Sequence, residues 1–405
     1  MKNLIITFCC LFLSIALAAA EKKEQSGAKN APSYGRISVT DFGAVPNDRK
    51  DDTEAFKKAF QAAAKKTFGQ RVPGTKTVIY GSPEVFIPHG RYQISSTVKV
   101  PGGISLKGEG SGSLILFTGK AGQDMFHFYA SRQYVEDLIF VGGHHQLVFS
   151  NANTDKTMLT MRRCQFRLAK GFAVRVVPNG KADHMSSLTL IDNCLFVGNY
   201  QCVENNGDLI HLRDCWIELK QPEMIDGPAI VNRSGRLMIT NLCGVPCANP
   251  PKGPKYLKNA RWIDNYGSVR LLYARIGGEG GGIPAIYHYR DCRNPRSPRC
   301  GSGTGEIIIE NSILNVGQLK RENKGVLRLF GLPSLIRMEG NIGYADRPAI
   351  VLDEAFAKKL AASPPGKDRL CACFRYVWKG NAGLTPVIPA VLKPLFSKDS
   401  EVLFK

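Results

Sequence analysis

The sequence predicts an all-β chain wound as a solenoid of stacked coils, with a short helix near each end. Three observations carry this. Short segments with alternating apolar and polar positions, punctuated by Gly and Pro, recur from EVFIPHGRYQISSTVKV (84–100) onward. Four later segments, MLTMRRCQF (158–166), LTLIDNCLF (188–196), LIHLRDCWI (209–217) and LMITNLCGV (237–245), are variants of one unit, and EIIIENSIL (306–314) is a later copy without the cysteine. Cys164, Cys194, Cys215 and Cys243 are 30, 21 and 28 residues apart. Each coil can therefore set its cysteine above the last, about 4.8 Å away by strand spacing.

The elements follow in order. MKNLIITFCCLFLSIALAAA (1–20) places Lys2 before an apolar run that ends in small residues, the pattern of a cleaved secretory signal. The run is short for a spanning helix and no later stretch is long and uncharged enough to cross a bilayer, so an exported chain with no stable membrane span is expected: secreted, periplasmic or on the cell surface. Residues 21–35 read as a polar linker. In RISVTDFGAVPNDRKDDTEAFKKAFQAAAKK (36–66), Asp51 followed by Glu54 outlines a capping box, and Phe56, Phe60 and Ala63 recur at helical spacing. The β-rich body is expected over 36–345. Beyond it, VLDEAFAKKLAA (351–362) reads as a second helix within a C-terminal cap and tail, 346–405, which would cover the strand edges exposed at a solenoid end.

Asp41-Phe42-Gly43-Ala44, Asp51-Asp52-Thr53, Ile87 to Tyr92 (IPHGRY) and Leu106 to Gly110 (LKGEG) occur in this order within residues 36–115. In that combination the stretch resembles the N-terminal part of the pectate lyase superfamily with rhamnogalacturonase- or epimerase-like domains. The resemblance implies a single-stranded right-handed parallel β-helix whose open end is covered by the short helix. It implies a scaffold and leaves the reaction open. Polygalacturonase-type hydrolases of the superfamily carry NTD, DD, GHG and RIK motifs. Here Asp51 and Asp52 belong to the cap helix, GGHH (142–145) stands in place of GHG, and RIGG in place of RIK, so hydrolysis of that type is not expected. Nor is the aspartate group of calcium-dependent pectate lyases evident; a calcium ion held by dispersed aspartates is the alternative.

Lys and Arg exceed Asp and Glu by 54 to 34, a net charge of +20 that attracts polyanions. With no nucleic-acid-binding motif in an exported chain, an acidic polysaccharide is the expected partner. The stacked cysteines read as apolar filling rather than metal ligands, because one cysteine per coil offers no paired CxxC. A disulfide is expected between Cys292 and Cys300, which bracket a basic loop; Cys371 and Cys373 are too close to bridge one another. None of these features encodes the oligomeric state.

Two surfaces are candidates for chemistry. Two residues before the four cysteines stand Arg162, Asp192, Arg213 and Asn241; in shared register Asp192 lies between two guanidinium groups, either as a surface salt-bridge row or as a sugar-binding face that also includes His211. The second is ARIGGEGGGIPAIYHYR (274–290), where five glycines surround Glu279 and Arg275, Tyr287, His288 and Tyr289 flank the run. Glycines at this density mark either a tight turn or a backbone that must approach a ligand. Eliminative cleavage of a uronate polymer needs a base, a cation to neutralise the carboxylate and an acid for the leaving oxygen; Arg275 is the expected cation, and Glu279, His288 and Tyr287 are placed with it as catalytic residues. Arg162, His211, Arg213 and Tyr289 are assigned to substrate binding. Hydrolysis would need a second carboxylate beside Glu279, and a glycan-binding protein without catalysis would need only a basic and aromatic groove.

Overall fold

Residues of alternating polarity in the short segments form strands that stack coil upon coil into three parallel sheets, with apolar side chains inside and polar ones outside. The computed structural model describes residues 36–71, 73–76, 78–81, 83–130, 132–151, 157–177, 187–219, 227–245, 260–276, 285–291, 305–314, 325–362, 375–385, 392 and 401–403. Among these, sheet I has 13 strands, sheet II has 11 and sheet III has 10, each strand pairing in parallel with its counterpart one coil away. The fold is a right-handed parallel β-helix. One coil illustrates the rest: Ser187–Asp192 lies in sheet I, Leu195–Val197 in sheet II, Gln201–Asn205 in sheet III, and Leu209–Arg213 starts the next rung of sheet I.

The corner between sheets I and II is made by one residue in the left-handed conformation. Asp137, Arg163, Asn193, Asp214, Asn241, Tyr273 and Asn311 hold it in successive coils, with φ between 49° and 59°. Asn and Asp tolerate this region better than other side chains, and the last two coils use Gly340 and Gly380. The residue after the corner turns inward. Leu138, Cys164, Cys194, Cys215, Leu242, Ala274, Ser312 and Asn341 are stacked there, all buried, each carbonyl accepting from a backbone N–H of the next coil.

This column corrects the expected cysteine series. Cys164, Cys194 and Cys215 are neighbours in it, and their thiols donate to carbonyl oxygens of their own and the preceding coil. The fourth place belongs to Leu242. Cys243 lies one residue later, pairs with Trp216 in sheet II and is partly exposed. Aligning the fourth unit on its cysteine shifts it by one, because the corner residue there is Asn241 and not the residue directly before the cysteine. The same shift removes Asn241 from the outward row of Arg162, Asp192 and Arg213, whose fourth member is Thr240.

The helix Thr53–Lys65 forms as expected and turns Phe56 and Phe60 onto Phe126, with Phe56 edge-on to Tyr92, so its apolar stripe covers the interior at this end. The capping box does not form. Asp52 is the N-cap and makes no side-chain cap bond; its carboxylate accepts instead from the N–H groups of Val45 and Gln93 (2.9 and 3.0 Å). Asp51 accepts from Thr53 and from Ser95, on the strand-bearing side. The DDT triplet therefore ties the helix to the first coils. The second helix, Glu354–Ala362, also forms. The sheets do not stop at residue 345, however: Ile350–Leu352, Arg375–Lys379, Ala382–Thr385 and Glu401–Leu403 add further parallel strands, and the helix sits in the connection between two of them. Residues 1–35, Glu279, Cys292, Cys300, Cys371 and Cys373 lie outside the described residues, and with them the leader and the disulfide.

Candidate functional site

The outward row of sheet I is a chain of alternating charge. Lys107, Glu136, Arg162, Asp192 and Arg213 occupy matching positions in five successive coils. Arg162 Nε and Arg213 Nε donate to the two oxygens of Asp192 at 3.1 and 2.8 Å, and Arg162 reaches Glu136 at 3.7 Å. The hydrogen bond from Arg213 and the second one from Arg162 hold the Asp192 carboxyl below its usual range, which suits a fixed anion and not a general acid. His211, in the adjacent outward row, shares a 3.0 Å hydrogen bond with Thr240 Oγ1; burial, then Arg213, lowers its pKa. These side chains are matched to one another, as in a salt-bridge row.

Of the residues predicted around the glycine run, the described ones, Arg275, Tyr287, His288 and Tyr289, do not converge on one point. Arg275 stands exposed on sheet II. His288, in the strand Ile286–His288 of sheet III, is fully buried. It continues an interior column of amides: Asn205 Nδ2 donates to Asn232, Asn232 Nδ2 to Asn265, and Asn265 Nδ2 bonds His288 Nδ1 at 2.9 Å. Burial lowers the His288 pKa to about 3, so the ring is neutral at pH 7 and has no substrate to meet. Strand alternation separates the three consecutive residues read together from sequence: Tyr287 points out, His288 in, and Tyr289 begins the turn.

Tyr287 and Tyr289 instead belong to the outer face of sheet III, which carries a row of charged and aromatic side chains. Its central row is Lys99, His127, Val148, Arg175, Glu204, Val231, Asp264, Tyr287 and Arg328. From His127 to Arg328 it spans seven rungs, about 34 Å by strand spacing. Glu204 is 1% exposed although it points outward, because Arg175 and Arg233 close over it with one guanidinium on each oxygen. Asp264 is held by Arg261 through two hydrogen bonds of 2.5 and 2.6 Å, and Tyr289 donates to it at 3.3 Å. Arg261 and Arg328 both lie over the Tyr287 ring. Beside them Tyr266, Tyr289 and Phe330 stack at 4.7 Å between ring centres. Burial, and the nearby Asp264, push the Tyr289 hydroxyl well above its ordinary pKa.

At the other end of the same face is a group that sequence reading missed. In the strand Phe126–Ala130, FHFYA, the phenylalanines point inward and His127 and Tyr129 outward, and Lys99 is register-paired with His127 one coil below. The period-two alternation of FHFYA is the signal that could have found them. His127 Nε2 bonds Asp124 Oδ2 at 2.7 Å, while Asp124 Oδ1 accepts from the His145 N–H at 3.1 Å. Burial alone would raise the Asp124 pKa, but the hydrogen bond with His127 and the closeness of His145 bring it below its ordinary value. The imidazole is thus oriented by a fixed carboxylate, with Nδ1 on the partly exposed side chain left for another proton. GGHH supplies the turn behind this group: His145 Nδ1 accepts from the Phe172 N–H at 2.7 Å, and burial pushes His145 down to about 4. Among the described residues no group of three or more His, Cys, Asp or Glu side chains is placed to hold a metal ion.

Comparison with known proteins agrees with this architecture. Residues 36–124 match the family model described as rhamnogalacturonase A/epimerase, pectate lyase-like. The pre-mature gene product 12 of bacteriophage phi29 superposes with a TM-score of 0.50 at 14% identity, covering 83% of this chain and 44% of that one. PfbA, a surface adhesin of Streptococcus pneumoniae, gives 0.48 at 12% identity over 86% of this chain and 92% of its own. The A-module of the Azotobacter vinelandii mannuronan C-5 epimerase AlgE4 gives 0.47 at 13% identity over 86% and 96%. No curated protein matches the sequence. At 14% identity the likeness to gene product 12 is one of fold alone. The chain is a right-handed parallel β-helix, and residues 36–124, in its first coils, are similar to the family described as rhamnogalacturonase A/epimerase, pectate lyase-like.

Proposed function

We propose that the protein is an exported carbohydrate-active enzyme that cleaves an acidic polysaccharide by β-elimination on the outer face of sheet III. The observation that carries this reading is the Asp124–His127 hydrogen bond at 2.7 Å, with Lys99 and Tyr129 on the same face. His127 donates its Nε2 proton to Asp124, so Nδ1 is the basic nitrogen; it takes the proton from the sugar carbon next to the carboxylate. Lys99 offsets the charge that builds on that carboxylate, and Tyr129 gives its hydroxyl proton to the departing glycosidic oxygen as the C–O bond breaks and a C=C bond forms. One proton is taken and one is given, and Asp124 steadies the imidazolium in between. Arg175, Arg233, Arg261 and Arg328, farther along the face, would hold carboxylates of neighbouring sugars. The net charge of +20, the leader-like residues 1–20 and the family description over residues 36–124 support the substrate class and the exported setting.

A second reading, glycan binding without cleavage, is favoured by one feature: Glu204 and Asp264 are both already engaged by arginines, as befits a rigid recognition surface. Incubation with pectic, alginate-like and sulfated polysaccharides, following unsaturated-uronate absorbance and reducing ends together, separates the readings. Elimination predicts that both rise, and that His127→Ala lowers the rate by about 10²- to 10⁴-fold. Reducing ends without absorbance would mean hydrolysis; binding with neither would establish the second reading.

A further inference from the structure

The sheet I face near the N-terminal end carries a depression of about 380 Å³, within the range of small-molecule sites. Its origin is a dip in side-chain height. Ser105, register-paired with Glu84, lies one coil from Tyr134, and Gly103 stands three residues before Leu106 as Arg132 stands three before Val135. Two small residues therefore face Tyr134 and Arg132 across the rung, and buried Leu106 lies at the floor. The Ser105 hydroxyl accepts from the Tyr134 N–H at 3.1 Å, which fixes the strand bearing the ring. Lys107 and Glu136, 3.9 Å apart, close one wall.

The walls differ in what they leave available. Glu136 is shared among Lys107, Arg162 and Arg163. Arg132 is exposed and makes no ion pair among the described residues, and Tyr134 is 52% exposed, a large fraction for an aromatic ring on a strand. A depression with an uncommitted guanidinium, an open aromatic face and carboxylate acceptors on its rim suits a ligand with one anionic group, an apolar ring face and hydroxyl donors. A multiply charged anion such as phosphate would instead meet Glu84 and Glu136. We propose that this depression is a second saccharide site for a single uronic-acid unit, its carboxylate on Arg132, its ring face on Tyr134 and its hydroxyls toward Glu84 and Glu136. The site lies on a different sheet from the elimination group and does not depend on that reading.

Calorimetric titration of the full chain with galacturonate, and with glucose as the uncharged comparison, tests the assignment. A monosaccharide has no glycosidic bond to cleave, so the result is independent of whether the protein is a lyase. Galacturonate is expected to bind, glucose at least tenfold more weakly, and Arg132→Ala and Tyr134→Ala, both on exposed positions, should each weaken galacturonate by tenfold or more. Galacturonate binding unchanged in both variants would place the sugar elsewhere and overturn the proposal. Equal affinity for glucose would overturn the assignment of a carboxylate ligand, and no detectable heat with galacturonate would overturn the site altogether.

Discussion

Replacing His288 by Asn should flatten the acid side of the stability profile and leave the proposed elimination unchanged. His288 is fully buried, bonded through Nδ1 to Asn265, and its Nε2 has no partner among the described residues. Burial lowers its pKa from 6.5 to about 3. A depressed histidine is neutral in the folded chain while the unfolded chain takes up a proton, so the group's contribution is complete above the unfolded value near 6.5. It is lost as pH falls toward 3, because over that window the unfolded state binds more protons. At about 1.4 kcal/mol per pH unit, the loss between pH 7.5 and pH 5 is about 2 kcal/mol, and a folded pKa one unit higher would hardly change it. Asparagine continues the amide column of Asn205, Asn232 and Asn265 without a titrating proton. Guanidinium unfolding of wild type and His288→Asn at pH 7.5, 6 and 5 measures the difference. The gap between the two curves should shift in the variant's favour by about 2 kcal/mol at pH 5. Parallel curves would show that the ring is not buried neutral, and a variant that folds like wild type yet loses cleavage a hundredfold would show that His288 meets substrate.

The cysteine column makes a second prediction. Burial raises the pKa of the Cys194 and Cys215 thiols, and Cys164 is equally enclosed, whereas Cys243 is partly exposed. Peptide-resolved alkylation of the native protein should modify Cys243 at least tenfold faster than the other three; equal rates would return Cys243 to the column. A third concerns Gly244, where a methyl group would come within 2.8 Å of the Trp262 ring, itself fully buried. Gly244→Ala should cost about 1–3 kcal/mol and lower the melting temperature; an unchanged melting temperature would mean that the contact is looser than described.

Sequence by itself determined the coil. The alternating units of residues 158–245 dictated parallel strands with one face inside, because side-chain direction in a strand reverses with every residue. Phe56 and Phe60 at helical spacing dictated the covering helix, and the pairing of Asp192 with Arg162 and Arg213 followed once coils of like sequence were laid in register. What lay beyond sequence was which residues of different coils share a face. His288 and Tyr287 are adjacent in the chain and lie on opposite sides of the wall, whereas Lys99 and His127, 28 residues apart, are register-paired neighbours. A single left-handed corner residue moved Cys243 and Asn241 out of the rows their motif suggested. Loop length between rungs is free to vary without changing the stack, so spacing along the chain carries no information about distance across the sheets, and only the tertiary register could bring Lys99 to the local group of Asp124, His127 and Tyr129.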